Sequence, residues 1–135
     1  MTPGILLVDD NPEEIELALH AFAARGHANG MRTVRTVAAA LQAVASSLPG
    51  LILLDLKLAG ESGLDLLGRL KADPATVAVP VVVLTASRER RDVLESYRLG
   101  ANAYVVKPVD FDDFADLAGK LGDFWLGVNE LPGRG

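Results

Sequence analysis

The chain has 135 residues, about the length of one globular domain, and it carries a formal net charge of −5 with a pI near 4.9. Half of its residues are hydrophobic and the mean hydropathy is +0.26, which excludes a disordered chain. The acidic balance argues against a nucleic-acid partner, because such a partner requires clustered basic charge. The absence of cysteine excludes disulfides, thiolate zinc sites and cysteine nucleophiles. Without a long apolar stretch or a signal peptide, we predict a cytoplasmic protein with no membrane partner.

Five short apolar runs alternate with longer segments in which hydrophobic residues recur at helical spacing. This alternation is typical of repeated βα units and predicts a parallel sheet. The second run has mixed polarity and is therefore expected at an edge of the sheet, because central strands are buried on both faces. The predicted strands are Ile5–Val8, Met31–Val37, Leu51–Leu54, Val81–Leu84 and Ala103–Val106.

Five helices are predicted between and after these strands. In the first, Asn11 is the N-cap and Glu14 is its capping-box partner. The last begins at the N-cap Asp110, with Val109 and Phe114 placed for a hydrophobic staple. The predicted helical segments are 12–25, 38–47, 64–71, 88–99 and 110 onward. Strict alternation of five strands and five helices predicts one doubly wound α/β domain.

Polar side chains directly follow four of the apolar runs. They are Asp9 and Asp10, Asp55, Thr85, and Lys107 with Pro108. The carboxyl ends of parallel strands form one edge of a sheet, where open α/β sheets bind ligands, so these side chains are expected to meet there. Three carboxylates, a hydroxyl and a lysine at one edge indicate a magnesium-dependent phosphoryl site.

Each of these side chains has an expected role in that chemistry. Asp10 and Asp55 are expected to supply carboxylate ligands to Mg²⁺, with Asp9 acting through water. Asp55 is the expected nucleophile, since it ends the most apolar strand and should lie centrally. Lys107 and the Thr85 hydroxyl are the donors available to the phosphoryl oxygens. Taken singly, each residue can also be explained as a helix cap, a loop start or a polar strand exit, and it is their joint occurrence that favours the phosphoryl site.

The combined motifs resemble the receiver domain of two-component response regulators. The motifs that carry the resemblance are Asp9-Asp10, Leu53-Leu54-Asp55-Leu56, Leu84-Thr85-Ala86 and Lys107-Pro108. The resemblance runs from about Ile5 to Leu121 and implies a flavodoxin-like (βα)5 fold with strand order 2-1-3-4-5. It also implies that Asp55 accepts a phosphoryl group from a histidine kinase in a Mg²⁺-dependent reaction.

The same resemblance implies roles for the residues around Asp55. Asp9, Asp10 and Asp55 would hold Mg²⁺ together with the backbone carbonyl of Lys57. Lys107 would pair with the phosphoryl group. These roles are implied by the family's pattern, and they agree with the chemistry expected from the side chains themselves.

The resemblance also implies a conformational role for Thr85 and matches three further positions. Thr85 would move to bond the phosphoryl group, and Tyr104 would turn inward with it as the switch aromatic. Pro108 would follow a cis peptide bond, since the cis form is inexpensive only in X–Pro bonds. Gly63 matches a glycine at which the backbone turns tightly. The chain departs from the family in the loop 59–62, which lacks a frequent proline and is expected to be more mobile.

The C-terminal part of the sequence predicts a stand-alone receiver. No DNA-binding or enzymatic output segment follows the receiver motifs, so we expect a single domain over residues 1–135 with a short extension from about 122. This ending is similar to that of single-domain regulators partnered with bacterial phytochrome kinases. Apolar residues cover more than one face of the last helix, which predicts either a tail folded onto its own domain or a homodimer. The predicted dimer residues are Phe111, Phe114, Phe124 and Trp125.

The leading hypothesis is a phosphorylatable signalling switch and not an enzyme. An alternative is a degenerate receiver that acts as a phosphorylation-independent interaction module, but retention of the acidic, hydroxyl and lysine positions argues against it. A third alternative is an aspartyl phosphohydrolase on a similar fold. Those enzymes usually have a second acid two residues after the nucleophile, where this chain has Lys57.

Overall fold

The computed structural model describes residues 4–130, and its centre is a five-stranded parallel sheet. In chain order the strands are β1 (Ile5–Val8), β2 (Arg32–Val34), β3 (Leu51–Leu54), β4 (Val81–Thr85) and β5 (Ala103–Val106). They lie side by side in the order β2-β1-β3-β4-β5, which confirms the predicted order 2-1-3-4-5 and the edge position of β2. Within residues 4–130, each helix is too short or too polar to cross a bilayer.

Five helices connect and flank these strands, in the alternation that the sequence predicted. They are α1 (Pro12–Ala24), α2 (Val37–Ser46), α3 (Gly63–Ala72), α4 (Arg90–Leu99) and α5 (Phe111–Gly122). A π-helical segment, Asp123–Val128, continues directly from α5. The strand β2 is shorter than predicted and α2 begins earlier, because the Thr36 hydroxyl accepts the Ala39 N–H at 3.0 Å and caps the helix.

Two apolar cores fill the space between the sheet and the helices on its two faces. Alternate residues of the central strands β1, β3 and β4 point into opposite cores. On β3, Ile52 and Leu54 face α2 and α3, whereas Leu51 and Leu53 face α1 and α5. All four are completely buried, and burying one such side chain contributes about 1.5–3 kcal/mol. This packed centre fixes the positions of the strand ends.

The helices α1 and α5 pack closely because glycines on α5 leave room for side chains from the end of α1. A Cβ on Gly119 would lie 2.7 Å from the Arg25 guanidinium, and one on Gly122 would lie 2.5 Å from the His27 ring. Arg25 donates to one carboxylate oxygen of Asp123 at 2.7 Å, and His27 Nε2 lies 2.7 Å from the other. We call Arg25, His27 and Asp123 the α1–α5 clasp.

The segment between β5 and α5 differs from the prediction in two respects. Asp110 caps α5 as expected, since its Oδ1 accepts two backbone N–H groups of the first turn. However, Val109 is fully exposed and forms no staple with Phe114, which packs in the core between α1 and α5.

The peptide bond between Lys107 and Pro108 is trans, as are all those in residues 4–130, so the prediction of a cis bond is wrong for this structure. The trans form of an X–Pro bond is favoured by about 0.5–1 kcal/mol, and a proline alone does not impose the cis form.

The loop after β3 forms a short hairpin that the sequence analysis did not predict. Lys57–Leu58 pairs antiparallel with Glu61–Ser62, and Gly60 lies in the turn with φ of 71°, in the left-handed region. The Glu61 carboxylate accepts the backbone N–H of Val37 at 3.2 Å, at the start of α2. This contact ties the loop beyond Asp55 to the start of α2.

Candidate functional site

The carboxyl ends of β1, β3, β4 and β5 bring Asp9, Asp55, Thr85 and Lys107 together at the edge where the sequence placed them. The Lys107 ammonium lies at the centre of this group. Its Nζ donates to Asp9 Oδ2 at 2.8 Å and to Asp55 Oδ2 at 3.0 Å. It also donates to the carboxylate of Glu14, in the first turn of α1. We call Asp9, Glu14, Asp55 and Lys107 the carboxyl-edge cluster.

Both carboxylate oxygens of Asp55 are held in place. Its Oδ1 accepts the Thr85 hydroxyl at 2.9 Å and the backbone N–H of Lys57 at 3.2 Å, while Oδ2 accepts Lys107. The chain returns close to Asp55 at Gly63, where a Cβ would lie 2.3 Å from the Asp55 carbonyl oxygen. That close approach is the physical reason for glycine at this position.

Burial and charge act in opposite directions on the pKa values of the cluster. Burial alone would lower the pKa of Lys107, but hydrogen bonds to Asp9 and Glu14 and the charge of Asp55 outweigh it and raise that pKa. Burial raises the pKa of Asp9, and the hydrogen bond from Lys107 opposes that shift. Lys107 is therefore a cation at neutral pH, and three carboxylates share its charge.

The acidic residues of the cluster form a site suited to a divalent cation. Carboxylate oxygens of Asp9, Glu14 and Asp55 lie within 4.8 Å of one another, and hard cations prefer such ligands. Glu14 was expected to accept the Asn11 N–H in a capping box, but that N–H donates to Asp9 Oδ1 at 2.9 Å instead. The signal that could have identified Glu14 is its position in the first turn of a helix that follows β1 directly, at the same edge of the sheet.

Besides Thr85, which donates to Asp55, three predicted site residues lie outside this cluster. Asp10 is not among the converging acidic side chains of the described residues. Lys57 contacts Asp55 through its backbone N–H, and its side chain is exposed. Tyr104 is half-buried and donates its hydroxyl to the Ser87 carbonyl at 3.0 Å, in the segment after β4. Burial raises the pKa of Tyr104, which keeps its hydroxyl protonated as a donor.

The four aromatic residues predicted at a dimer interface differ in exposure. Phe114 is buried in the core between α1 and α5, so it is not available for contact with a second chain. Trp125 is half-buried against the same core and meets Phe124 edge to face, with 5.1 Å between ring centroids. Phe111 and Phe124 are exposed. Part of the ending therefore folds onto its own domain, as one alternative predicted, and two aromatic rings lie at the surface.

Comparison with known proteins identifies relatives of this chain. The response regulator receiver domain family matches residues 5–118. The structure is similar to that of the phosphorylated cyanobacterial phytochrome response regulator RcpA, with 32% identity, a TM-score of 0.92, and coverage of 98% of this chain and 99% of that one. It is also similar to the Mn²⁺-bound response regulator Rcp1 (30% identity, TM-score 0.87, 96% and 99% covered), a protein of Synechocystis. The bacteriophytochrome response regulator RtBRR is 40% identical, with a TM-score of 0.74 and coverage of 98% and 86%.

The family match agrees with the fold and with the site. The matched residues 5–118 include all five strands and the whole carboxyl-edge cluster. The flavodoxin-like strand order and the acidic residues at the strand ends were both expected from the sequence, and the resemblance to phytochrome-associated regulators is confirmed by RcpA and RtBRR. The chain belongs to the response regulator receiver domain family, and it is a response regulator and not a classical enzyme.

Proposed function

We propose that this chain is a stand-alone response regulator that accepts a phosphoryl group from a histidine kinase on Asp55 and then changes a protein-interaction surface. The observation that carries the proposal is the setting of Asp55, a buried carboxylate whose oxygens contact a hydroxyl, a backbone N–H and a lysine. Such groups orient the attacking oxygen and counter the charge of the phosphoryl oxygens, which is most of what catalysis of phosphoryl transfer requires.

In the proposed transfer, a carboxylate oxygen of Asp55 forms a bond to phosphorus while the P–N bond of a kinase phosphohistidine breaks. The imidazole nitrogen keeps the electron pair of that bond and takes up a proton from solvent. The product is an acyl phosphate on Asp55. Lys107 and the Thr85 hydroxyl lie beside Asp55 as hydrogen-bond donors, so they stabilise the charge on the transferred group.

The transfer is proposed to require Mg²⁺, which would neutralise phosphoryl charge when bound. Asp9 and Asp55 belong to the converging acidic set, while Asp10 and the backbone carbonyl of Lys57 are proposed as ligands from the family resemblance. The oxygen chemistry of the acidic set supports this proposal, as does the Mn²⁺-bound form of Rcp1. Chelation of divalent cations should therefore prevent phosphorylation.

Thr85 and Tyr104 are the proposed switch residues. In this structure the Thr85 hydroxyl donates to Asp55, so a phosphoryl group on Asp55 would become its new acceptor. The Tyr104 hydroxyl donates a hydrogen bond to the carbonyl of Ser87, two residues after Thr85. A shift of the segment after β4 would therefore change this hydrogen bond. A partner protein that binds this face would then distinguish the two states.

The proposal is tested by incubating the purified chain with acetyl phosphate and Mg²⁺ and measuring its intact mass. We expect one added phosphate on the wild type and none on Asp55→Asn, because an amide replaces the nucleophile at nearly constant volume. A matched control is Asp65→Asn on α3, a surface carboxylate whose loss should leave phosphorylation unchanged. An unmodified wild type would contradict the proposal and favour the phosphorylation-independent interaction module. Rapid consumption of many donor molecules per chain would instead favour a phosphohydrolase.

We further propose a phytochrome-type histidine kinase as the partner, and a single receiver domain of residues 1–135 whose C-terminal extension begins at about 122. A cytoplasmic location belongs to the same proposal. The similarity to RcpA and RtBRR supports the phytochrome-type partner and the single receiver domain. Residues 131–135 of the extension lie outside the described part of the chain. Phosphotransfer from a purified phytochrome kinase should be much faster than from an unrelated histidine kinase. Equal rates from both kinases would count against this partner.

A homodimer through the end of the chain is a separate proposal, supported by the exposed rings of Phe111 and Phe124. Apolar side chains at a surface are typical of an interface with a second protein chain. The test is the mass in solution by sedimentation, for the wild type, for Phe124→Asp and for Leu48→Asp, a control at an exposed apolar position beyond the end of α2. We expect a dimer that only Phe124→Asp dissociates, and a monomeric wild type would contradict the proposal.

A further inference from the structure

The three N–H donors of the Lys107 ammonium are all occupied. Nζ donates to Asp9 Oδ2 at 2.8 Å, to Asp55 Oδ2 at 3.0 Å and to the Glu14 carboxylate. An ammonium group has three donors and no more. Lys107 therefore has no free donor for an oxygen of an incoming phosphoryl group, and it must first lose one of its present partners.

Burial indicates which of the three partners is released. The side chains of Asp9 and Asp55 are 3% and 12% exposed, whereas that of Glu14 is 34% exposed. Asp9 is further held by the Asn11 N–H at 2.9 Å. Glu14 and Lys107 both line a cleft of about 270 Å³. Because water can enter this cleft, it can solvate a displaced Glu14 carboxylate. A carboxylate that water can solvate costs far less to unpair than a buried one.

We propose that Glu14 is a positioning residue that holds Lys107 in the unphosphorylated chain and gives it up to the phosphoryl group on Asp55. This inference rests on the proposed function of Asp55. The exchange is favoured by charge, because phosphorylation replaces one carboxylate charge with a group of nearly two negative charges, which attracts Lys107 and repels Glu14. Glu14 thus competes with the phosphoryl group for the same ammonium, and it sets how readily the phosphorylated state forms and how long it lasts.

The test compares Glu14→Gln with Glu13→Gln. The two positions are adjacent in the first turn of α1, and the Glu13 side chain is exposed. Glutamine keeps the size of the side chain and removes only its charge. With acetyl phosphate and saturating Mg²⁺, we expect Glu14→Gln to be phosphorylated about two- to fivefold faster and to keep its phosphate about two- to fivefold longer than wild type, as expected for loss of a partly exposed ion pair. Glu13→Gln should match the wild type.

A second measurement follows Lys107 itself in the unphosphorylated chain. Because Glu14→Gln replaces a charge-assisted hydrogen bond from Lys107 with a weaker neutral one, we expect the Lys107 ammonium protons to exchange with water faster in that variant by NMR, and at the wild-type rate in Glu13→Gln. A purely structural role of Glu14 in capping α1 would slow phosphorylation or leave it unchanged, so acceleration separates the two roles.

The outcomes distinguish the inference from the function on which it rests. If the wild type takes up no phosphate, the proposed function fails and the inference fails with it. If the wild type is phosphorylated but Glu14→Gln reacts at the same rate or more slowly, only the role of Glu14 is overturned. Unchanged exchange of the Lys107 ammonium protons in Glu14→Gln would overturn it as well.

Discussion

The carboxyl-edge cluster and the α1–α5 clasp use the same kinds of charged group in different surroundings. The Lys107 side chain in the cluster is 7% exposed, whereas that of Arg25 in the clasp is 43% exposed. The contact distances are alike, at 2.8 Å from Lys107 to Asp9 and 2.7 Å from Arg25 to Asp123. Similar geometry therefore accompanies very different access to water.

This difference decides what each group of contacts can do. Water and salt screen the charges of the clasp, so losing one partner changes its energy little. In the cluster, a charge that loses its partner is left in a poorly solvated site, and the energetic change is large. The cluster is therefore suited to respond to one added charge, such as a phosphoryl group on Asp55. The clasp is suited to holding α1 against α5.

The largest effect is expected for Lys107→Met, because three carboxylates lose their shared cation. Without Mg²⁺ the free energy of unfolding should fall by about 3 kcal/mol, a usual result of removing one partner from a buried ion pair. Added Mg²⁺ should restore part of the loss, since it supplies positive charge to the same carboxylates. The measurement is urea denaturation with and without Mg²⁺. The control is Lys120→Met, since Lys120 pairs with Asp116 at the surface, and equal losses for the two variants would contradict the comparison.

A smaller effect is expected when a methyl group is added beside the carboxyl-edge cluster, at Gly63, or beside the α1–α5 clasp, at Gly119. Gly63→Ala should destabilise the chain by about 1–3 kcal/mol, because the new Cβ would meet the backbone of Asp55, which cannot move freely. Gly119→Ala should be close to neutral. Its Cβ meets the flexible end of Arg25, and alanine favours a helix over glycine by about 1 kcal/mol. Thermal unfolding of the two variants measures the stability that each one loses. A larger loss for Gly119→Ala than for Gly63→Ala would contradict the conclusion that the surroundings of Asp55 are the more rigid.

The smallest effect is expected for Asp123→Asn in the clasp, and it should depend on pH. The hydrogen bond with His27, together with the charge of Arg25, lowers the pKa of Asp123 below its ordinary value of 3.8. A lowered carboxylate pKa contributes stability above the unfolded value, and this stability is lost as the pH falls through the folded value. The variant should therefore have a slightly lower melting temperature than wild type at pH 7, and the difference should vanish in strong acid. A difference of the same size in acid would refute this assignment.

Much of the fold and part of the site follow from sequence periodicity. Asp55 and Lys107 were predicted together because parallel strands place their carboxyl ends at one edge, whatever the details of packing. Glu14 was assigned to a local cap, since only the folded chain shows that Lys107 reaches α1. The exposure of Val109 and the hairpin at 57–62 were also missed. A staple depends on the path of the chain before the helix, and strands of two residues are too short to show a period.

The central claim is that Asp55 takes the phosphoryl group, and the most direct measurement is to locate that group on the chain. After reaction with acetyl phosphate and Mg²⁺, reduction with sodium borohydride converts an aspartyl phosphate to homoserine, which tandem mass spectrometry of peptides can place. We predict homoserine at position 55, with Asp9, Asp10 and Glu14 unmodified. Homoserine at position 9 or 10, or 5-hydroxynorvaline (the product of a reduced glutamyl phosphate) at position 14, with no homoserine at position 55, would contradict the account.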